Sequence, residues 1–286
     1  MTIISDMLSF TFMRHALIVG LLVSLCAALL GVSLVLKRYA MIGTGLSHVG
    51  FAAMVISGVI TDTIPLPAFL QPIAAPLPFS MMVVVGAAFL LLRLNESSKI
   101  NGDSAVALIS TSGLSIGVIV MGLTTGITLH ICNILFGSIF AMRRVDVELT
   151  IILSIIVIVL FVLFYKQLFA VTFDEAFAKA TGTKVEIYKS LLALLTAVTV
   201  VLGMRMMGAL LIASLTLFPA LSAMRICKRF LSVVITAAVV GVSCFFVGML
   251  FSFQLDLPPG ASIVAVNLVV FMLLSVLRFI KQGGRA

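Results

Sequence analysis

The sequence has few charged residues: of 286 residues, only 10% are Asp, Glu, Lys or Arg, while 62% are hydrophobic. A soluble domain has about 25% charged residues, so this chain lacks the polar side chains needed to cover a globular surface. Uncharged stretches of membrane-spanning length recur along the whole chain, which excludes a single anchor or a cleaved signal peptide. These stretches are continuous rather than alternating, so they predict helices and not the strands of a barrel.

Several catalytic and binding motifs are also absent. The sequence contains no GxxxxGK[ST] loop, so the chain does not bind ATP through a P-loop, and it contains no HExxH. Its four cysteines are single and form no CxxC pair, which argues against a disulfide framework or a thiolate zinc site. We therefore predict that the chain is not an enzyme. Any energy for active transport must come from an ion gradient or from a partner subunit.

The uncharged segments predict an all-α polytopic membrane protein, a single domain over residues 1–286 with eight or nine transmembrane helices. Short pieces are predicted to be re-entrant or broken, chiefly 129–142 and the boundary near 203–208, and Pro219 is predicted to kink or end a helix. The predicted spans are 16–36, 41–61, 79–92, about 104–122, 149–165, two helices within 190–224, 230–255 and 261–277.

Positive charges indicate the orientation of these spans. Lys and Arg cluster near 37–38, 93–99, 166–189 and 225–229 and at the C-terminus, and such clusters lie on the cytoplasmic side of membrane proteins. The same clustering accounts for the net charge of +8 without invoking nucleic acid. The segment at about 166–189 is the longest charged one, so we predict a cytoplasmic loop there.

His48 is the first candidate functional residue because it is an ionisable group inside a predicted span. Such residues are rare and usually face an interior cavity, and a neutral imidazole is a good ligand for zinc and related metals. Thr44 lies four residues earlier, on the same helical face. An interfacial histidine bonded to a carbonyl is the alternative, and the sequence alone leaves both open. His130 is a second candidate for a metal path, with a loop-edge histidine as its plainer interpretation.

The segment 173–182 predicts a short cytoplasmic helix. Asp174 and Glu175 place negative charge at its start, which suits the helix dipole, Ala176 is compatible with a helix, and Gly182 supplies a C-terminal stop. A short amphipathic helix on the cytoplasmic face of a transporter is a natural docking surface for a soluble partner. A solvated helix without a partner is the alternative.

Family motifs appear at this segment and elsewhere. Glu175-Ala176 with Gly182 resembles the EAA-and-glycine coupling signature of permease subunits in bacterial ABC importers. Further stretches resemble, in order along the chain, the permease family for zinc, manganese and iron. They are Gly43-Thr-Gly-Leu-Ser-His48, Leu135-Phe-Gly-Ser138, Arg205-Met-Met-Gly-Ala-Leu-Leu with Phe218-Pro-Ala220, and Asp256-Leu-Pro-Pro-Gly260 as an outside turn.

The resemblance implies the permease subunit of an ATP-driven divalent-metal importer in the bacterial inner membrane. It implies a homodimer with a path along the dimer axis, a cytoplasmic ATPase docked on Asp174, Glu175, Ala176 and Gly182, and an extracellular metal-binding protein that delivers the ion. The chain itself would bind no cofactor, and its cargo would be zinc or manganese, or in some members iron.

The same resemblance implies where the metal makes contact. In the family an aspartate and a histidine of the second span form the metal-contacting pair. His48 matches the histidine, whereas Thr44 stands where the family has the aspartate. A hydroxyl is a weak neutral ligand, so this departure removes a charge that attracts a divalent cation.

Two other functions stay open at this stage. A related permease could carry a chelated metal or a cobalamin-like compound, and Thr44 is the residue that keeps this alternative open. A gradient-driven secondary carrier is the other rival. It would need an intramembrane carboxylate, and the predicted spans contain no Asp or Glu.

Overall fold

The computed structural model describes residues 9–37, 39, 41–63, 75–97, 102–123 and 144–283, and every regular element in those ranges is a helix. Eleven helices follow one another in that part of the chain. They are α1 (Thr11–Leu36), α2 (Ile42–Thr63), α3 (Pro76–Ser97), α4 (Gly102–Gly122), α5 (Arg144–Leu163), α6 (Tyr165–Phe173), α7 (Glu175–Ala180), α8 (Val185–Met207), α9 (Ala209–Ile226), α10 (Phe230–Leu255) and α11 (Pro259–Gly283).

Nine of these helices are long and apolar enough to cross a membrane, counted over the described residues. The predicted all-α polytopic fold is therefore confirmed. Several helices begin earlier than predicted, and two of them begin at a proline: α3 at Pro76 and α11 at Pro259. Proline is tolerated in the first turn because the N–H that it lacks would have no partner within the helix. The predicted turn after α10 therefore contains only residues 256–258.

The break predicted near 203–208 lies at Gly208. Its backbone has φ of 87° and ψ of 158°, in a region that only glycine adopts readily, and it separates α8 from α9 with a single residue. Pro219 lies inside α9, which continues to Ile226. Of the two outcomes predicted for Pro219, the end of a helix is thus wrong.

The predicted cytoplasmic loop at 166–189 is helical for most of its length. It contains α6, α7 and the beginning of α8. Most of its charged residues occupy exposed positions of amphipathic helices, whereas Lys189 is only 13% exposed. The opposite faces are apolar: Val171 of α6, Ala178 of α7 and Val185 of α8 form a small buried cluster.

The helices pack around α1, α2, α8 and α9, which are the most buried spans, while α11 lies at the periphery. Small residues allow the closest approaches, as expected where helices associate without a hydrophobic driving force. Gly31 of α1 lies directly against the backbone of Thr216 of α9, where an added Cβ would collide. Helix α2 packs against α3, α4 and α9, and this arrangement positions His48.

Candidate metal path and coupling helix

The first turn of α2 is wedged between two helices by its glycines. A Cβ at Gly43 would lie 2.8 Å from Oγ1 of Thr216 on α9, and a Cβ at Gly45 would lie 2.8 Å from Cγ1 of Val106 on α4. Larger residues at either position would push the neighbouring helices away. Thr44 lies between these two glycines and is partly exposed. The Gly43-Thr44-Gly45 segment is therefore held at a fixed depth between α9 and α4.

His48 lies one turn further along α2 and contacts α4. Its Nδ1 is 2.7 Å from Oγ of Ser110, and the residue is half-buried. When Nδ1 donates its proton to Ser110, Nε2 keeps a lone pair and is able to bind a metal ion. The contact therefore fixes the ring orientation and is compatible with a ligand role. The same hydrogen bond would also be made by a histidine that serves only in helix packing. The structure therefore leaves the predicted role of His48 as a metal ligand untested.

Ser110 was not identified from the sequence, although a signal was present. Ser110, Gly113 and Gly117 recur at the spacing that places residues on one helical face, and all three face α2. Added Cβ atoms at Gly113 and Gly117 would lie 3.1 Å from Cα of Val49 and 2.7 Å from Cε1 of Phe51. This small-residue face brings α4 close enough to α2 for the Ser110–His48 contact.

Thr44 and His48 do not form a complete metal site within one chain. Among the described residues, no group of three or more His, Cys, Asp or Glu side chains could hold a metal ion. The polar groups at this position, Thr44, His48 and Ser110, are neutral or weakly basic. His130 and the Leu135–Ser138 motif lie outside the described residues. A tight divalent site would need further ligands or a second copy of the chain.

The short helix α7 has capping groups at both ends. Asp174 is its N-cap, and its carboxylate accepts a hydrogen bond from the backbone N–H of Phe177 at 2.9 Å. At the other end Gly182 has φ of 81°. Its N–H donates to the carbonyl of Lys179, and the N–H of Thr183 donates to the carbonyl of Ala178, which is the Schellman arrangement. The predicted start and stop of this helix are both present, and its role in coupling stays a prediction.

Glu175 joins α7 to two other helices. One carboxylate oxygen, Oε1, accepts from Nζ of Lys37 at 2.8 Å, and Oε2 lies 2.7 Å from Nζ of Lys189. Burial by itself would raise the pKa of Glu175, but hydrogen bonds from Lys189 and Lys37 outweigh it and lower the pKa below its ordinary value. The carboxylate is therefore ionised at neutral pH and stays paired with both lysines.

A second ion pair lies at the other end of α8. Nη2 of Arg205 is 3.0 Å from Oδ2 of Asp146 in the first turn of α5, and both side chains are mostly buried, with 19% and 15% exposed. Arg205 pairs internally, which offsets the high cost of a charge within a membrane span. Asp146 was not expected within a helix, because α5 was predicted to begin near residue 149. The argument that the spans contain no carboxylate therefore fails at this residue.

The comparisons with known proteins agree with this arrangement. The model of the ABC 3 transport family matches residues 9–278. The manganese transport system membrane protein MntC of Halalkalibacterium halodurans is 27% identical over 268 residues, which are 94% of this chain and 88% of that protein. The manganese import system permease protein ScaB of Streptococcus gordonii is 24% identical over 92% of this chain and 90% of its own length.

A solved structure has the same fold. The complex described as PsaBC from Streptococcus pneumoniae with a Fab contains a chain that superposes with a TM-score of 0.79 and 25% sequence identity. The superposition covers 95% of the present chain and 94% of that chain. The similarity therefore extends over nearly the whole length and includes α2, α4 and α7.

Proposed function

Because the chain belongs to the ABC 3 transport family, we propose that it is the permease subunit of an ATP-driven importer of divalent metal ions, with manganese as the favoured cargo. The family match over residues 9–278 carries the proposal, and two relatives of similar length are named as a manganese transport system membrane protein and a manganese import system permease protein. The chain is a multi-pass protein of the bacterial inner membrane. It catalyses no reaction itself, and the metal is its cargo rather than a resident cofactor.

The proposed metal path runs along α2 and α4. His48 and Thr44 of α2 and Ser110 of α4 supply its polar groups, and α4 continues with the hydroxyl side chains of Thr111 and Ser112, which are exposed. Consecutive residues point to different sides of a helix, so Thr111 and Ser112 lie beside the path rather than in it. Both hydroxyls donate to carbonyls of their own helix, and the exposed surface that they form is polar without being charged. We expect a second copy of the chain to cover it, because a homodimer brings two His48 rings to one axis.

The proposed docking surface for the ATPase is formed by α6 and α7. Phe173 and Phe177 are 61% and 63% exposed, although both lie in a segment that the charge pattern assigns to the cytoplasm. Exposed aromatic side chains on a capped helix typically mark a protein interface. In this proposal ATP binding and hydrolysis in the partner move α7, and an extracellular metal-binding protein delivers the ion at the opposite side.

A chelated metal is the second candidate cargo, and one observation favours it. Thr44 supplies a neutral oxygen where a carboxylate would attract a bare cation, and Ser110 adds a second neutral group beside His48. A chelate carries its own ligands and needs less charge from the path. Zinc is a third cargo to test because imidazole suits it as well.

Uptake by the complete complex tests the proposal. The chain would be purified with its ATPase, reconstituted into proteoliposomes and supplied with the binding protein and radioactive manganese, with zinc and a chelated metal as competitors. We expect manganese uptake that requires ATP and is lost in His48→Ala. His15→Ala, in α1, is the matched control and should transport normally. Uptake that follows an ion gradient without ATP would identify a secondary carrier, and uptake of the chelate alone would favour the second candidate.

A further inference from the structure

The contacts of Glu175 show that its carboxylate faces its own chain. Both oxygens are engaged, one by Lys37 and one by Lys189, at 2.8 and 2.7 Å. The two lysine side chains are only 8% and 13% exposed, so they are held in place and are not free surface charges. Glu175 itself is 46% exposed, so the shielding comes from the two lysines; solvent screens such pairs less than it screens pairs of fully solvated charges.

The two lysines belong to different membrane helices. Lys37 is the C-cap of α1, and Lys189 lies in the first turns of α8. Helix α7 has six residues and a single buried side chain, Ala178. Its apolar contact with the rest of the protein is therefore small, and Glu175 provides its ionic connection to α1.

The connection leads directly to the candidate metal path. Tyr39 comes two residues after Lys37, and its carbonyl accepts from the N–H of Ile42, the first residue of α2. Lys37, Lys189, Tyr39 and Ile42 also line one small cavity of about 20 Å³. Thr44 and His48 follow within the next two turns of α2. The carboxylate of Glu175 and the backbone contacts of Tyr39 with Leu34 and Ile42 therefore link α7 to the start of α2.

We propose that Lys37 and Lys189 are positioning residues that transmit the movement of α7 to α1, α8 and the start of α2 through Glu175. This inference rests on the proposed function, since it assumes that an ATPase moves α7. It differs from the alternative in which Glu175 contacts the ATPase directly. Here Glu175 acts within the chain, while the exposed Phe173 and Phe177 contact the partner.

Charge reversal distinguishes these two roles of Glu175. Glu175→Lys breaks both pairs, and the triple variant Lys37→Glu, Glu175→Lys, Lys189→Glu restores them with opposite signs. If Glu175 acts within the chain, the triple variant recovers coupling. If Glu175 contacts the ATPase, the lysine at position 175 stays harmful whatever its intramolecular partners are. Glu175→Gln and Lys37→Met are milder variants that keep the test usable if a reversal impairs insertion.

The measurement is metal imported per ATP hydrolysed by the reconstituted complex, with manganese as the probe. We expect Glu175→Gln, Lys37→Met and Glu175→Lys to lower this ratio by roughly fivefold or more while the ATPase stays bound, and the triple variant to restore it. Glu186→Gln is the control, because Glu186 lies 3.9 Å from Lys189 but on α8 itself; it should leave the ratio unchanged. Single variants with a normal ratio would overturn the proposal.

Amide hydrogen exchange of residues 175–183 in the purified full chain gives a readout that does not depend on transport. Glu175→Lys should speed exchange there, and the triple variant should slow it again. If the triple variant restores protection but not coupling, Glu175 acts on the ATPase and the inference is wrong. If the wild-type complex shows no ATP-dependent uptake, the proposed function fails. The exchange measurement still tests the ionic connection in that case, because unchanged exchange in Glu175→Lys would reject it without any transport assay.

Discussion

Arg205 and Asp146 form an ion pair of 3.0 Å that ties the end of α8 to the start of α5. Lys189, near the other end of α8, is paired with Glu175. Sixteen residues separate Lys189 from Arg205, which corresponds to about 24 Å along a helix. Helix α8 thus has an ion pair at each end; Glu175 is 46% exposed, and the other three side chains are 13–19% exposed.

The Asp146–Arg205 pair predicts a stability effect with a clear sign. Asp146→Asn leaves Arg205 without its anionic partner in a mostly buried site, which should cost about 3 kcal/mol, the lower end of the range for breaking a buried pair. Thermal unfolding in detergent micelles measures the loss. The double variant Asp146→Asn, Arg205→Gln should be more stable than the single variant, because no buried charge remains. Glu148→Gln changes an exposed position in the same turn and should leave stability unchanged. Equal losses of stability in Asp146→Asn and Glu148→Gln would show that the ion pair is unimportant.

The C-terminal glycine of α7 predicts a second effect. Gly182 has φ of 81° with open space where a Cβ would be, so Gly182→Ala adds backbone strain of about 1–2 kcal/mol without a steric collision. We expect α7 to fray and coupled uptake to fall, while the protein still inserts and the membrane helices unfold at the same temperature. Gly86→Ala, also without neighbours but helical, is the control and should behave as wild type. Uptake that is normal in Gly182→Ala would separate α7 from the coupling mechanism.

The contact between Ser110 and His48 predicts that metal binding can be weakened without altering the proposed ligand, His48. Ser110→Ala removes the partner of His48 Nδ1, so the ring loses its fixed orientation and tautomer. Loss of such an outer partner typically weakens metal affinity about tenfold or more. Manganese binding to the purified dimer or complex measures it. Ser112→Ala is the matched control, because that hydroxyl bonds only to carbonyls of its own helix; an equal effect of both variants would exclude a specific role for Ser110.

The sequence predicted local features of this fold well. The position of α10, the break at Gly208, and the start and stop of α7 all follow from hydropathy, backbone freedom or capping, which depend on neighbouring residues. The errors lie where polar residues extend a helix, as at Arg144 and Asp146 of α5. Charges there suggested a loop, but one of them is neutralised by a partner on another helix.

The contacts between helices could not be read in the same way. Glu175 and Lys37 are 138 residues apart, and His48 and Ser110 are 62 apart. Whether such residues meet depends on the rotation and depth of packed helices, which small residues such as Gly43 and Gly113 set jointly. The sequence identified His48 and Glu175 as candidates. Their partners Ser110, Lys37 and Lys189 required the three-dimensional arrangement.

Thr44 offers the sharpest test of the proposed path, because the resemblance in sequence implies a carboxylate at its position. Thr44→Asp places a charged oxygen one helical turn from His48 and on the same face. Joined with the imidazole it should strengthen binding of a divalent ion. Gly43 and Gly45 hold the turn against α9 and α4, so the new carboxylate stays at the depth of Thr44 and does not displace the helix.

The measurement for Thr44→Asp must be equilibrium binding of manganese, since tighter binding also slows release and can reduce uptake. We expect the manganese affinity of Thr44→Asp to exceed that of the wild type. The isosteric control Thr44→Val should bind as the wild type does or slightly more weakly. Adding His48→Ala to Thr44→Asp should abolish the gain in affinity. A gain that persists without His48 would mean that the carboxylate binds metal alone, away from the imidazole. No gain at all, together with normal uptake in His48→Ala, would remove this face of α2 from the metal path.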